Sequence, residues 1–72
     1  MVIALVHGYG MECETQKRYQ DSKEAFVFLE TLVDFDNHAH LKYLYAIGYG
    51  YSYNQELCER GLEILKYVQD KI

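Results

Sequence analysis

Apolar and polar positions divide the chain into four segments. The first is Met1 to His7, closed by Gly8-Tyr9-Gly10. The second runs from about Asp21 to Phe35. Within it Ala25, Phe28, Leu29 and Leu32 follow helical spacing, and Phe26, Val27 and Val33 widen the stripe. A helix apolar on more than one side needs cover from two directions. Asp21 and Glu24 have capping-box spacing, so Asp21 or Ser22 is expected to accept the free N–H groups of the first turn. The fourth segment runs from about Asn54 to Ile72. It places Leu57, Gly61, Leu65, Val68 and Ile72 on one helical face, with Leu62 and Ile64 beside it. Ser52 or Asn54 would cap it, and Glu56/Arg60 and Glu63/Lys66 are helical-neighbour charge pairs. Gly61 inside this helix implies either close backbone packing or a break between two shorter helices.

The third segment, Ala39 to Ile47 closed by Gly48-Tyr49-Gly50, supports two readings. As a helix it puts Leu41, Leu44, Tyr45 and Gly48 on one face, with Gly48 as the left-handed residue that ends it. As a strand it aligns Leu41, Tyr43, Tyr45, Ile47, Tyr49, Tyr51 and Tyr53 on one face at period two, with strands at 2–7 and 41–47. The expected fold is mainly α, a small bundle of helix pairs, repeat-like, in a single domain over residues 1–72. The alternative is α/β, a short βαβα chain whose two-stranded sheet would carry open edges.

Composition narrows the function. The chain has 72 residues, half of them hydrophobic, too many for a disordered tail. A domain this short has a marginal core and no room for a large enclosed substrate pocket. Seven Lys and Arg against eleven Asp and Glu give a net charge of −4. That balance argues against nucleic acid and anionic membranes as partners, both of which need basic surface. Lys17-Arg18, with Lys23 nearby, reads as a solvated patch. Two cysteines are too few for a disulfide scaffold, and Val2 to Val6 is too short for a signal sequence, so a cytoplasmic protein is expected.

Catalytic chemistry is poorly represented. Asp34, Asp36, His38 and His40 are the one dense set of metal-type ligands, spaced for an extended loop. The simpler reading is a helix–helix turn with Asn37 in the left-handed position. No metal site and no cofactor are therefore expected. Cys13 lies between Glu12 and Glu14, which disfavour its thiolate. Cys58 sits on a helix as packing, and no third group orients His7 toward either thiol. The two Gly-x-Gly pairs lack the continuation of a phosphate loop and read as turn glycines.

His7-Gly8-Tyr9-Gly10 recurs forty residues later as Ile47-Gly48-Tyr49-Gly50, and Leu29-Glu30-Thr31-Leu32 is echoed by Leu62-Glu63-Ile64-Leu65. Such self-similarity marks stacked supersecondary units. The stretch from Phe35 to Gly50 resembles a diverged ankyrin repeat: the end of a first helix, an Asn/His turn, a second helix and a Gly-containing loop. Val2 to Gly10 and Leu62 to Val68 resemble further second helices. Leu44, Gly48 and Tyr51 also partly match the pattern of a tetratricopeptide-like helix pair. Both resemblances imply stacked helix pairs whose exposed surface binds proteins.

The remaining feature is aromatic. Five of the eight tyrosines, Tyr43, Tyr45, Tyr49, Tyr51 and Tyr53, lie within eleven residues. Tyr offers large contact area with a polar tip, which suits protein interfaces. With Gly48, Gly50 and Ser52 interleaved, Tyr49, Tyr51 and Tyr53 read as a loop. The expected function is a non-catalytic protein–protein interaction module that binds a protein partner, or a second copy of itself, through Tyr43, Tyr49, Tyr51 and Tyr53. A small acidic inhibitor competing with nucleic acid for a basic protein surface is the alternative, and a metal-dependent enzyme ranks last.

Overall fold

The computed structural model describes residues 2–72. Four α-helices follow one another: α1 (Val2–Thr15), α2 (Tyr19–Leu32), α3 (Leu41–Ser52) and α4 (Cys58–Lys71), with a 3-10 turn at His38–His40 leading into α3. The domain is mainly α, and the βαβα alternative falls: 2–7 and 41–47 are both helical. α1 packs on α2 and α3 on α4, forming two antiparallel-type hairpin pairs joined through α2 and α3.

Several boundaries move from their sequence positions. Neither Gly-Tyr-Gly motif is a turn. α1 continues through Gly8 and Gly10 to Thr15, and α3 runs through Gly48 and Gly50 to Ser52. Among the described residues no glycine has positive φ. α1 is instead ended by Lys17, at φ 62°, with Arg18 N–H donating to the Cys13 carbonyl at 2.7 Å and Lys17 N–H to the Glu14 carbonyl at 3.0 Å. That pair of bonds is a Schellman closure, built here on a lysine. α2 starts at Tyr19 without a side-chain cap, because Asp21 turns back to pair with Arg18 at 2.8 Å. Asn37 is extended rather than left-handed, and its side chain accepts from the Ala39 N–H at the start of the 3-10 turn. Asn54 does not open α4 directly. Its carboxamide oxygen accepts from Glu56 and Leu57 N–H in the turn before it.

The core is Phe26, Leu29, Val33, Leu44, Ala46, Ile47, Tyr51, Ile64 and Val68. Phe26, not Phe28, is the buried phenylalanine of α2, and Phe28 and Val27 stay exposed. Close approach explains the choice. A Cβ on Gly10 would lie 2.9 Å from the Phe26 ring, and one on Gly50 would lie 2.6 Å from its opposite edge. Equivalent glycines of the two repeated motifs therefore hold one ring between α1 and α3. Gly48 and Gly61 make the second close approach: a Cβ on Gly61 would meet the Gly48 carbonyl oxygen at 2.7 Å. Gly61 thus serves backbone packing of α4 on α3, with no break in the helix. Neither expected neighbour pair, Glu56/Arg60 or Glu63/Lys66, forms among the described residues; Arg60 pairs instead with Glu30 at 2.6 Å, and Glu56 with Lys23 at 3.6 Å.

Candidate functional site: a tyrosine ladder and an adjoining cleft

A helix puts residues four apart on one face. Because α3 runs unbroken through both glycines, Tyr45, Tyr49 and Tyr53 line up along its outer surface. Their rings form a continuous column. Tyr45 and Tyr49 stack at 6.2 Å between centroids, and Tyr49 and Tyr53 meet edge-to-face at 5.2 Å. The hydroxyls of Tyr53 and Tyr49 are hydrogen-bonded at 2.8 Å. That bond is the main cause that raises the Tyr53 pKa. All three rings are exposed, Tyr53 to 68%.

The four tyrosines singled out in the sequence have different fates. Tyr49 and Tyr53 come together in the ladder. Tyr51 belongs to the core, 2% exposed, so its ring is not part of the surface. Its hydroxyl donates to Glu30 Oε1 at 2.8 Å, and Glu30 Oε2 accepts from Arg60, tying α2, α3 and α4 together. Burial first, then the Glu30 hydrogen bond and charge, push the Tyr51 pKa well above the ordinary tyrosine value. Tyr43 is half-buried on another face, edge-to-face with His7 at 5.3 Å and His40 at 5.7 Å, with Lys42 Nζ 5.1 Å from its ring. Tyr45 is the ladder member that the sequence reading left out, and its i, i+4 spacing from Tyr49 is the signal that marks it.

Asp34, Asp36, His38 and His40 serve the turn between α2 and α3. His40 Nδ1 accepts from the Asp34 N–H at 3.0 Å, and Asp34 Oδ1 accepts from the Asp36 N–H at 2.9 Å. Among the described residues no group of three or more such side chains gathers around a common point. Cys13 is buried and Cys58 half-buried, and the two are separate thiols.

At the Tyr53 end the ladder opens into a cleft of about 230 Å³, where the end of α1, the start of α2 and the end of α3 meet. Glu14, Tyr19, Ser22, Lys23, Tyr53 and Asn54 surround it, over a floor of Gly50 and Tyr51. Glu14 is half-buried and has no hydrogen-bonding or ion-pair partner for its carboxylate among the described residues. A shallower apolar groove lies between α1 and α2, where Leu5, Tyr9 and Phe28 are exposed beside Asp21 and Glu24.

Fold and surface together define the class: an all-α domain of two packed helix pairs with an exposed aromatic column. Compared with known proteins, the chain matches no family model, no curated sequence and no solved structure. Among the described residues no helix is long and apolar enough to cross a membrane.

Proposed function

We propose that this chain is a non-catalytic protein-interaction module that binds a protein partner through the Tyr45–Tyr49–Tyr53 face of α3. The observation that carries the reading is the ladder itself. Three large aromatic side chains stand exposed, pre-ordered against one another on a rigid helix. Aromatic side chains that are already ordered lose little rotamer entropy on binding and contribute disproportionately to contact energy. Tyr43, on a separate face, drops out of the surface, and Tyr51 supports it from below. The module is repeat-like in the manner of an ankyrin or tetratricopeptide unit. Support for this comes from the packed helix pairs and from the matching role of Gly10 and Gly50 around Phe26. Two separate thiols agree with a reducing, cytoplasmic setting.

The test is affinity capture with the full chain against its Tyr45→Ala/Tyr49→Ala/Tyr53→Ala variant, both first shown helical by circular dichroism. A partner held by the native chain should be lost or weakened at least tenfold by the variant. Equal capture by both refutes the ladder as the contact surface. Capture that is indifferent to the tyrosines but abolished by moderate salt would transfer the reading to an acidic competitor of nucleic acid.

A further inference from the structure

We infer that the cleft between α1, α2 and α3 is a receptor for a cationic side chain, the guanidinium of arginine or the ammonium of lysine, presented by a bound polypeptide. The polypeptide rests on the interaction-module reading; the cation site rests on the cleft. Its walls have the two components that recognise an organic cation, a carboxylate and aromatic rings. Glu14 supplies the carboxylate. A Cβ placed on Gly50 would lie 3.6 Å from Glu14 Oε2, which locates that oxygen over the cleft floor. Tyr53 and Tyr19 supply rings, 68% and 59% exposed, from α3 and α2. A cation near an aromatic face is drawn to the ring quadrupole, more strongly where water is partly excluded.

Charge accounting points the same way. The acids nearby are already engaged: Asp21 with Arg18, Glu56 with Lys23 and Glu30 with Arg60. Glu14 is the half-buried carboxylate left over. A lone carboxylate in partial burial gains more from an incoming charged donor than a fully hydrated one does. Lys23 also borders the cleft, but Glu56 offsets its charge at 3.6 Å. The incoming cation therefore lies on the Glu14–Tyr53–Tyr19 side. About 230 Å³ accommodates the end of one arginine or lysine side chain but not a folded peptide. Because Tyr53 belongs to both ladder and cleft, a polypeptide lying along α3 would deliver its basic side chain there.

The experiment titrates the isotope-labelled full chain with N-acetyl-arginine methylamide, and separately with N-acetyl-norleucine methylamide, following backbone amide shifts. The arginine probe should shift Ser22, Gly50, Tyr53 and Asn54 saturably, and the norleucine probe should not. Glu14→Gln should weaken the arginine probe about threefold to tenfold, the range for a partly exposed charge-assisted hydrogen bond. Tyr19→Leu, at an exposed position, should weaken it as well. Leu62→Ala, at an exposed position of α4 outside both ladder and cleft, should leave it unchanged; partner capture by the ladder variant is read separately, so the ladder reading can fail while this one stands. Equal shifts from both probes, shifts away from the cleft, or an unaltered Glu14→Gln titration would overturn the inference.

Discussion

Tyr51 shows how much one side chain does in so small a core. Its ring is buried between α2 and α4, and its hydroxyl reaches Glu30, which in turn holds Arg60. Replacing it with Phe keeps the ring and removes the donor. The expected loss at neutral pH is about 1.5–3 kcal/mol, that of a hydrogen bond to a charged acceptor. The alkaline limb of stability gives a sharper test. The folded-state pKa of Tyr51 lies above its unfolded value of 10.0. Its contribution is therefore complete below about pH 10 and declines as the pH rises beyond that, because the unfolded chain loses the proton first. Chemical denaturation between about pH 9 and 12 should show a shallower decline for Tyr51→Phe than for the native chain. Identical slopes would mean that Tyr51 is not the group responsible.

At the scale of elements, glycine decides the arrangement. Gly61 and Gly8 are both helical, yet their surroundings differ. A Cβ on Gly61 would meet the Gly48 carbonyl oxygen at 2.7 Å, Tyr51 Cβ at 2.8 Å and the Ser52 nitrogen at 2.9 Å. Two of those are backbone atoms, so α3 and α4 would have to separate. A Cβ on Gly8 would meet nothing within 4 Å. Alanine in a helix gains up to about 1 kcal/mol over glycine. Gly8→Ala should therefore stabilise by about 0.5–1 kcal/mol, while Gly61→Ala should destabilise by about 1–2 kcal/mol as overpacking exceeds that gain. Thermal melts of the two variants should move in opposite directions. The same glycines explain which parts of the fold were legible in the sequence. The periodicity of α2 and α4 was visible, and so was close packing as one meaning of Gly61. The continuation of α1 and α3 through Gly-Tyr-Gly was not, because a glycine that ends a helix and one that admits a neighbouring ring look alike locally. With a helix that ends at Gly48, Tyr49, Tyr51 and Tyr53 read as one loop, and neither the i, i+4 column of Tyr45, Tyr49 and Tyr53 nor the burial of Tyr51 is visible. The choice of Phe26 over Phe28 was equally hidden, since the glycines that make room for Phe26 lie on two other helices. The cleft draws Glu14, Tyr19 and Tyr53 from three helices, and no spacing along the chain brings them together.

The whole molecule measures 30 × 28 × 17 Å, less than two helix diameters in its thin direction. A slab this thin leaves many apolar side chains uncovered, and Val2, Leu5, Tyr9 and Met11 of α1 are among them. Edge position has an energetic consequence. α1 packs on α2 and only lightly on α3, and its fully buried residues are Gly10 and Cys13 alone. α3, by contrast, buries Leu44, Ala46, Ile47, Gly48 and Tyr51 against both neighbours. A domain of this length has a total stability of about 4–11 kcal/mol, and its least-packed element opens at a fraction of that. Native-state hydrogen exchange should show the amides of Leu5 to Cys13 exchanging through an opening clearly cheaper than the one that exposes Leu44 to Tyr51. Phe26 is the coupling point, since its ring lies between Gly10 of α1 and Gly50 of α3. Phe26→Leu leaves a smaller side chain in that space. It should lower the protection of α1 more than that of α4, which touches neither glycine's ring contact. Uniform loss across all four helices would instead show a single cooperative unit, with the two hairpins opening only together.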